Sequence, residues 1–130
     1  MRLRHVLTLA LVLGLAALAA APVAAPTPSE SQIPFTASLV AATHTPEAGT
    51  RWTYTVYARD RRGKRLHATV SPVILYNGKK VDTVGYYAFV GIYRGSFRWS
   101  DETRSKPLVF QVRVIAKSRV LKLDYVVRVR

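Results

Sequence analysis

Trp52, Tyr54, Val56 and Ala58 take every second position of one run, and Arg51, Thr53, Thr55 and Arg59 take the positions around them. A period of two sends successive side chains to opposite faces of an extended chain, so this run offers one face to a core and one to water. The pattern recurs along the chain. Phe35, Ala37, Leu39 and Ala41 alternate with Thr36, Ser38 and Val40. Leu108, Phe110, Val112 and Val114 alternate with Val109, Gln111, Arg113 and Ile115. Leu121, Leu123, Tyr125, Val127 and Val129 are opposed by Lys122, Asp124, Arg128 and Arg130. No helical period of 3.6 residues persists after Phe35. Such a chain is confined to sheets with one solvated face each.

Turn chemistry divides these runs. Thr45-Pro46-Glu47-Ala48-Gly49 is a turn, and Asp60-Arg61-Arg62-Gly63 has the Asp-first, Gly-fourth order of a type I turn. Leu66 to Tyr76 reads as a third strand; Pro72 inside it suggests a bulge or an edge, because proline cannot donate to a ladder. Asn77-Gly78 is a strong hairpin signal, since a type I′ turn needs positive φ at both central residues. Val81 to Tyr87 runs back. Gly91 and Gly95 break up the next stretch, Ser96 to Trp99 is a short strand, and Ser100 to Pro107 is a polar loop. Lys117-Ser118-Arg119 turns the chain into its last strand. The expectation is all-β: seven antiparallel strands in residues 35–130, arranged as a β-sandwich or small barrel. A chain of 130 residues has room for one such domain.

The first 25 residues have another texture. Arg2 and Arg4 precede an apolar run, Val6 to Ala21, interrupted by Thr8 and Gly14, and small residues follow to Ala25. Charge, apolar core and small-residue zone form the order of a secretory signal, with cleavage expected between Ala19 and Ala25. The rival reading is a retained anchor, but the strongly apolar part is shorter than the roughly 20 residues that a span needs. The alanine-rich composition is of bacterial type. Residues 26–34 are a Pro/Ser-rich linker. Export to the cell envelope, periplasm or exterior follows. Without residues 1–25, eighteen Lys/Arg stand against seven Asp/Glu, a net charge of +11.

The series Thr45 to Gly49, then Trp52, Tyr54 and Val56, then Asp60-Arg61-Arg62-Gly63-Lys64-Arg65-Leu66, resembles the opening of immunoglobulin-like domains in secreted bacterial proteins of the YtkA-like or fibronectin-III-like kind. The resemblance covers residues 35–130 and implies an immunoglobulin-like β-sandwich. The chain has no cysteine, so this is a version without the immunoglobulin disulfide.

Catalytic constellations are absent from the sequence. No Gly-x-Ser-x-Gly, Ser-x-x-Lys, phosphate loop or dinucleotide fingerprint occurs. Asp101-Glu102 is the one adjacent acid pair, and Asp60 is expected to cap its own turn. Beyond the signal the histidines are His44 and His67, fewer than the three protein ligands of a usual catalytic zinc, and the single methionine is Met1. Copper-handling periplasmic proteins resemble this architecture and form the alternative reading, but no His or Met cluster supports it. The expectation is a non-enzymatic module with no metal and no cofactor.

Charge is the distinctive signal. Arg59, Arg61, Arg62, Lys64 and Arg65 place five positive charges in seven residues, offset by Asp60 alone. If the strands alternate up and down, this turn shares an end with Arg94, Lys117 and Arg119, while Lys79, Lys80, Arg51, Arg104 and Lys106 lie at the other. Arginine suits bidentate contact with phosphate or carboxylate. The partners expected for an exported chain are an anionic envelope polymer or an acidic protein. Intracellular nucleic acid is not expected, and membrane contact is expected only if the signal is retained as an anchor. The plain alternative is charge that keeps loops solvated. Aromatics are dense from Tyr86 to Trp99, and Tyr87, Tyr93 and Trp99 are candidates for an adjoining aromatic surface.

Overall fold

The computed structural model describes residues 33–130; the signal reading of residues 1–25 and most of the 26–34 linker lie outside them. Eight strands form: β1 (Phe35–Ala41), β2 (Arg51–Asp60), β3 (His67–Tyr76), β4 (Lys79–Thr83), β5 (Tyr87–Val90), β6 (Ile92–Arg98), β7 (Pro107–Ala116) and β8 (Arg119–Arg128). One sheet has the order β1-β2-β6. The other has the order β4-β3-β7-β8, with β5 following β4 along the same side of β3. Every strand pair is antiparallel.

The count is eight, not the expected seven, and Pro72 supplies the reason. It lies opposite Val112 in the middle of its sheet, neither at an edge nor exposed. A residue's N–H and C=O point to the same neighbour in an antiparallel ladder. Val84 N–H donates to the Pro72 carbonyl at 2.9 Å, so the proline nitrogen also faces the β4/β5 side. It has no hydrogen to give there. The strand on that side ends at Thr83 and resumes at Tyr87. Both pieces run antiparallel to β3, so the split adds a strand without changing which end of the sandwich any turn occupies. A second difference concerns β6. It begins at Ile92 and runs through Gly95, while Trp99 lies beyond its end.

The core lies between the inner faces and is aromatic at its centre. Trp52 meets Phe110 edge-on at 4.9 Å, and Phe97 and Trp99 both at 5.4 Å. Val56, Val70, Val112, Val114 and Val127 are fully buried around this cluster. Such close packing of large side chains does the work that a disulfide does in smaller secreted domains. Trp52 Nε1 donates to the Thr43 carbonyl at 2.9 Å. Trp99 Nε1 is buried and has no hydrogen-bond partner among the described residues, and the Trp99 and Phe97 rings are centred 4.8 Å apart. Tyr54 lies across Gly95, its β2–β6 partner; a Cβ built on Gly95 would fall 2.5 Å from the Tyr54 ring. At the hairpin, Asn77 (φ 51°) and Gly78 (φ 77°) have the two positive φ values that the dipeptide predicts.

Candidate functional site at the basic end

Register fixes what meets at each end. Phe35, where β1 begins, pairs with Asp60, where β2 finishes. The 60–65 turn and the Lys117-Ser118 hairpin, closed by Ala116 and Arg119, therefore share one end with the β5–β6 connection at Gly91.

Asp60 organises the turn as expected. Its Oδ1 accepts from the backbone N–H of Arg62 at 2.8 Å and of Lys64 at 2.9 Å. The backbone adds Gly63 N–H to Asp60 O and Asp60 N–H to Lys64 O. The bond from Lys64 N–H, then that from Arg62, with the positive fields of Lys117 and Lys64, hold the Asp60 carboxyl below the usual carboxylate range; partial desolvation opposes them. A depressed folded pKa gives a contribution that is present above the unfolded carboxylate range, near 3.9, and is lost as pH falls through the folded value. The urea midpoint is thus expected to fall between pH 5 and pH 3. In Asp60→Asn the share of this drop due to Asp60 disappears; an unchanged drop rejects the capping role.

The turn also aligns charge. Arg59 and Arg65 are directly opposite one another across it. Arg59 donates to the Gly63 carbonyl, and the Arg65 stem lies against the Gly91 backbone. Arg59, Arg61, Arg62, Lys64, Arg65, Lys117 and Arg119 are all exposed. Among the described residues the one ion pair is Arg104 with Asp101, at the other end. Lys117 (φ 48°) and Ser118 (φ 60°) both hold left-handed backbone at the hairpin tip.

Other candidates fall elsewhere. Arg94 pairs with Thr55 and stands on the outer face of the three-stranded sheet, two residues into β6. It is not at the basic tip, because β6 starts earlier than Ser96. Arg51 and Arg98 sit opposite each other on the same face, farther from the tip. Lys79, Lys80, Arg104 and Lys106 lie at the far end with Asp101 and Glu102, so that end carries both signs.

The aromatic candidates do not form a surface. Trp99 is 1% exposed and belongs to the core. Tyr93 points between the sheets, stacks on Tyr87 at 5.3 Å and lies beside Tyr54, with ring centroids 6.0 Å apart. Burial, then the Tyr93 ring beside it, pushes the Tyr54 phenol well above its usual range. Tyr87 is 40% exposed and donates to the Val84 carbonyl. Polar aromatics seal the open side of the sandwich here.

His44 and His67 are at opposite ends and cannot share an ion. His44 stacks on Tyr125 at 3.8 Å and hydrogen-bonds the Val126 carbonyl; His67 is exposed on β3. No group of three or more His, Asp or Glu residues suited to a metal occurs among the described residues. A cleft of about 450 Å³ opens between β4 and β6 near the far end, over Ile74, Phe97 and Leu108, with Asp82, Glu102 and Lys106 on its rim. Its mixed rim selects no single charge.

Val90 and Val120 flank the basic turns and were not singled out by sequence reasoning. They are 45% and 47% exposed. Val120 carried a signal, since it has the polar parity of its strand. Val90 carried none, because its strand is too short to set a parity.

No family model matches the sequence, and no curated protein matches it. Among solved structures, the chain is similar to the CARDB domain of the PF1109 protein from Pyrococcus furiosus, determined in complex with di-metal ions. The identity is 15%, the TM-score is 0.51, and the match covers 74% of this chain and 87% of that one. The sporulation control protein Spo0M from Bacillus subtilis matches at 10% identity with a TM-score of 0.49, over 74% of this chain and 49% of that chain. The chain thus spans about half of Spo0M. The likeness to the CARDB domain concerns fold alone, and the architecture is that of an immunoglobulin-like β-sandwich. No helix among the described residues is long and apolar enough to cross a membrane.

Proposed function

We propose that this protein is a non-enzymatic, exported interaction module of the bacterial cell envelope. Its basic end binds an anionic polymer or an acidic protein. The carrying observation is the Arg59–Arg65 pair, two like charges directly opposite one another with no carboxylate among the described residues bridging them. Like charges so placed destabilise a sheet by a few tenths of a kcal/mol or more. Left-handed backbone at Lys117 and Ser118 costs on the order of 1 kcal/mol per residue. An Asn-Gly tip, as at Asn77-Gly78, would relieve that strain, so the basic tip is kept against stability. The charge–apolar–small order of residues 1–25, and a turn pattern that resembles that of secreted YtkA-like and fibronectin-III-like domains, support export.

The test uses residues 26–130 and a soluble poly(glycerol phosphate). Binding is expected to weaken as salt rises, because exposed charges are screened beyond about 10 Å at 0.1 M ionic strength. Changing Arg61, Arg62, Lys64 and Arg65 together to Gln should lower affinity at least about tenfold. The same number of changes at Lys79, Lys80, Arg104 and Lys106 should matter less. Equal affinity of the first variant and the parent removes the proposal.

A further inference from the structure

The structure assigns the basic end a membrane-facing orientation, and we infer that its anionic partner is the phospholipid headgroup surface. This rests on the anion-binding reading above and specifies the source of the anions. Two features of the molecule favour a bilayer over a soluble polymer.

The first is the path of the chain. β1 starts at the basic end and runs away from it, because Phe35 pairs with Asp60 and Ala41 with Tyr54. The apolar segment 6–21 is joined to this point through residues 22–34. These thirteen residues reach at most about 45 Å, at roughly 3.3–3.6 Å each. Insertion of the apolar segment during export therefore delivers this end of the sandwich to the bilayer first. Had β1 run the other way, the mixed-charge end would arrive instead.

The second is the mixture of side chains. Val90 adjoins the Gly91 connection and Val120 adjoins Arg119, and both are about half exposed. On the outer face of the five-stranded sheet, Ala88, Thr69, Ile115 and Val120 form one cross-strand row beside the tip. Aliphatic side chains beside a cationic rim match an interface in which headgroup charge overlies acyl chains. A hydrated polyanion has nothing for those valines to enter. Membrane contact of this kind needs no retained anchor, in contrast with the expectation from sequence.

Among the described residues the core runs from Ile33 to Val129, so residues 26–130 span the whole of the described sandwich. That segment is mixed with vesicles of phosphatidylglycerol and phosphatidylcholine, with vesicles of phosphatidylcholine alone, and with poly(glycerol phosphate). Cosedimentation is expected with the anionic vesicles only. Neutralising Arg61, Arg62, Lys64 and Arg65 should weaken vesicle binding by about two orders of magnitude. Val90→Ser with Val120→Ser should weaken vesicle binding several-fold and leave polymer binding unchanged. The chain has no cysteine, so Ser118→Cys and Ser100→Cys each accept a single environment-sensitive dye, at the basic and the far end respectively. The dye at position 118 should shift to the blue on anionic vesicles, and the dye at position 100 should not. Binding of polymer through the same arginines without vesicle binding overturns the lipid assignment and leaves the anion-binding reading standing. Binding of neither overturns both. A shift at position 100 rather than 118 overturns the orientation. The variants are compared only where their thermal midpoints show them folded, and single substitutions at Arg62 and Lys64 serve if the fourfold variant is not.

Discussion

Replacing Trp52 by alanine is expected to remove about 3–5 kcal/mol of stability, the usual effect of deleting a large buried aromatic. That is a large part of the 5–15 kcal/mol that holds an ordinary domain together. The thermal midpoint should fall by tens of degrees or the chain should fail to fold, because about 1 kcal/mol moves the midpoint of a domain this size by roughly 4–8 °C. The reason is position. Trp52 contacts Tyr54, Phe97, Trp99, Phe110 and Tyr125, so both sheets lose packing at once. Phenylalanine substitutions separate packing from hydrogen bonding. Trp52→Phe also deletes the bond to Thr43, whereas Trp99→Phe removes a buried donor that has no partner. The Trp52 change should cost about 1 kcal/mol more than the Trp99 change. Each single variant keeps one tryptophan, so urea unfolding can be followed by fluorescence. Equal losses would show that the two indole N–H groups do not differ as described.

Gly95→Ala carries the second large effect, about 1–3 kcal/mol from overpacking. The new methyl group would fall 2.5 Å from the Tyr54 ring, and that ring is 3% exposed and wedged between Phe97 and Phe110. Burial leaves the ring little room to move aside. In a Tyr54→Leu background the same substitution should cost much less, since residues in direct contact couple by 0.5–3 kcal/mol or so. Chemical denaturation of the four proteins in this cycle gives the coupling. Additive losses would mean that the ring is not the obstacle.

Gly95 also marks where the sequence stopped being readable. A glycine among aromatics looks like a break, and a short strand from Ser96 was the natural reading. The glycine is instead required in mid-strand by a tyrosine about forty residues earlier, and local pattern carries no trace of a cross-strand fit. Arg94 was misplaced for the same reason. β2, β7 and β8 were legible because each buries one face, which writes a period of two into the sequence. The turns at Asp60 and Asn77-Gly78 were legible because their geometry depends on their own residues. Most of the basic end could be read because five of its charges fall within seven residues, and alternation of strands brought Lys117 and Arg119 to them. Trp99 gave no cue to its burial, since it lies past the end of β6 and its inward turn is set by the chain around it. The valines beside the tip acquire meaning only once four strands are laid side by side.

The break opposite Pro72 has a consequence for self-association. Without it, one edge strand would run from Lys79 to Val90, with a long row of free N–H and C=O groups to template another chain. Growth of a cross-β stack needs such a row to be continuous. Divided, the edge offers pieces of five and four residues, and the first begins with two lysines. A proline buried in the middle of one strand thereby guards its neighbour against fibril growth along that edge of the sheet, in a chain that has no disulfide to hold its sheets closed.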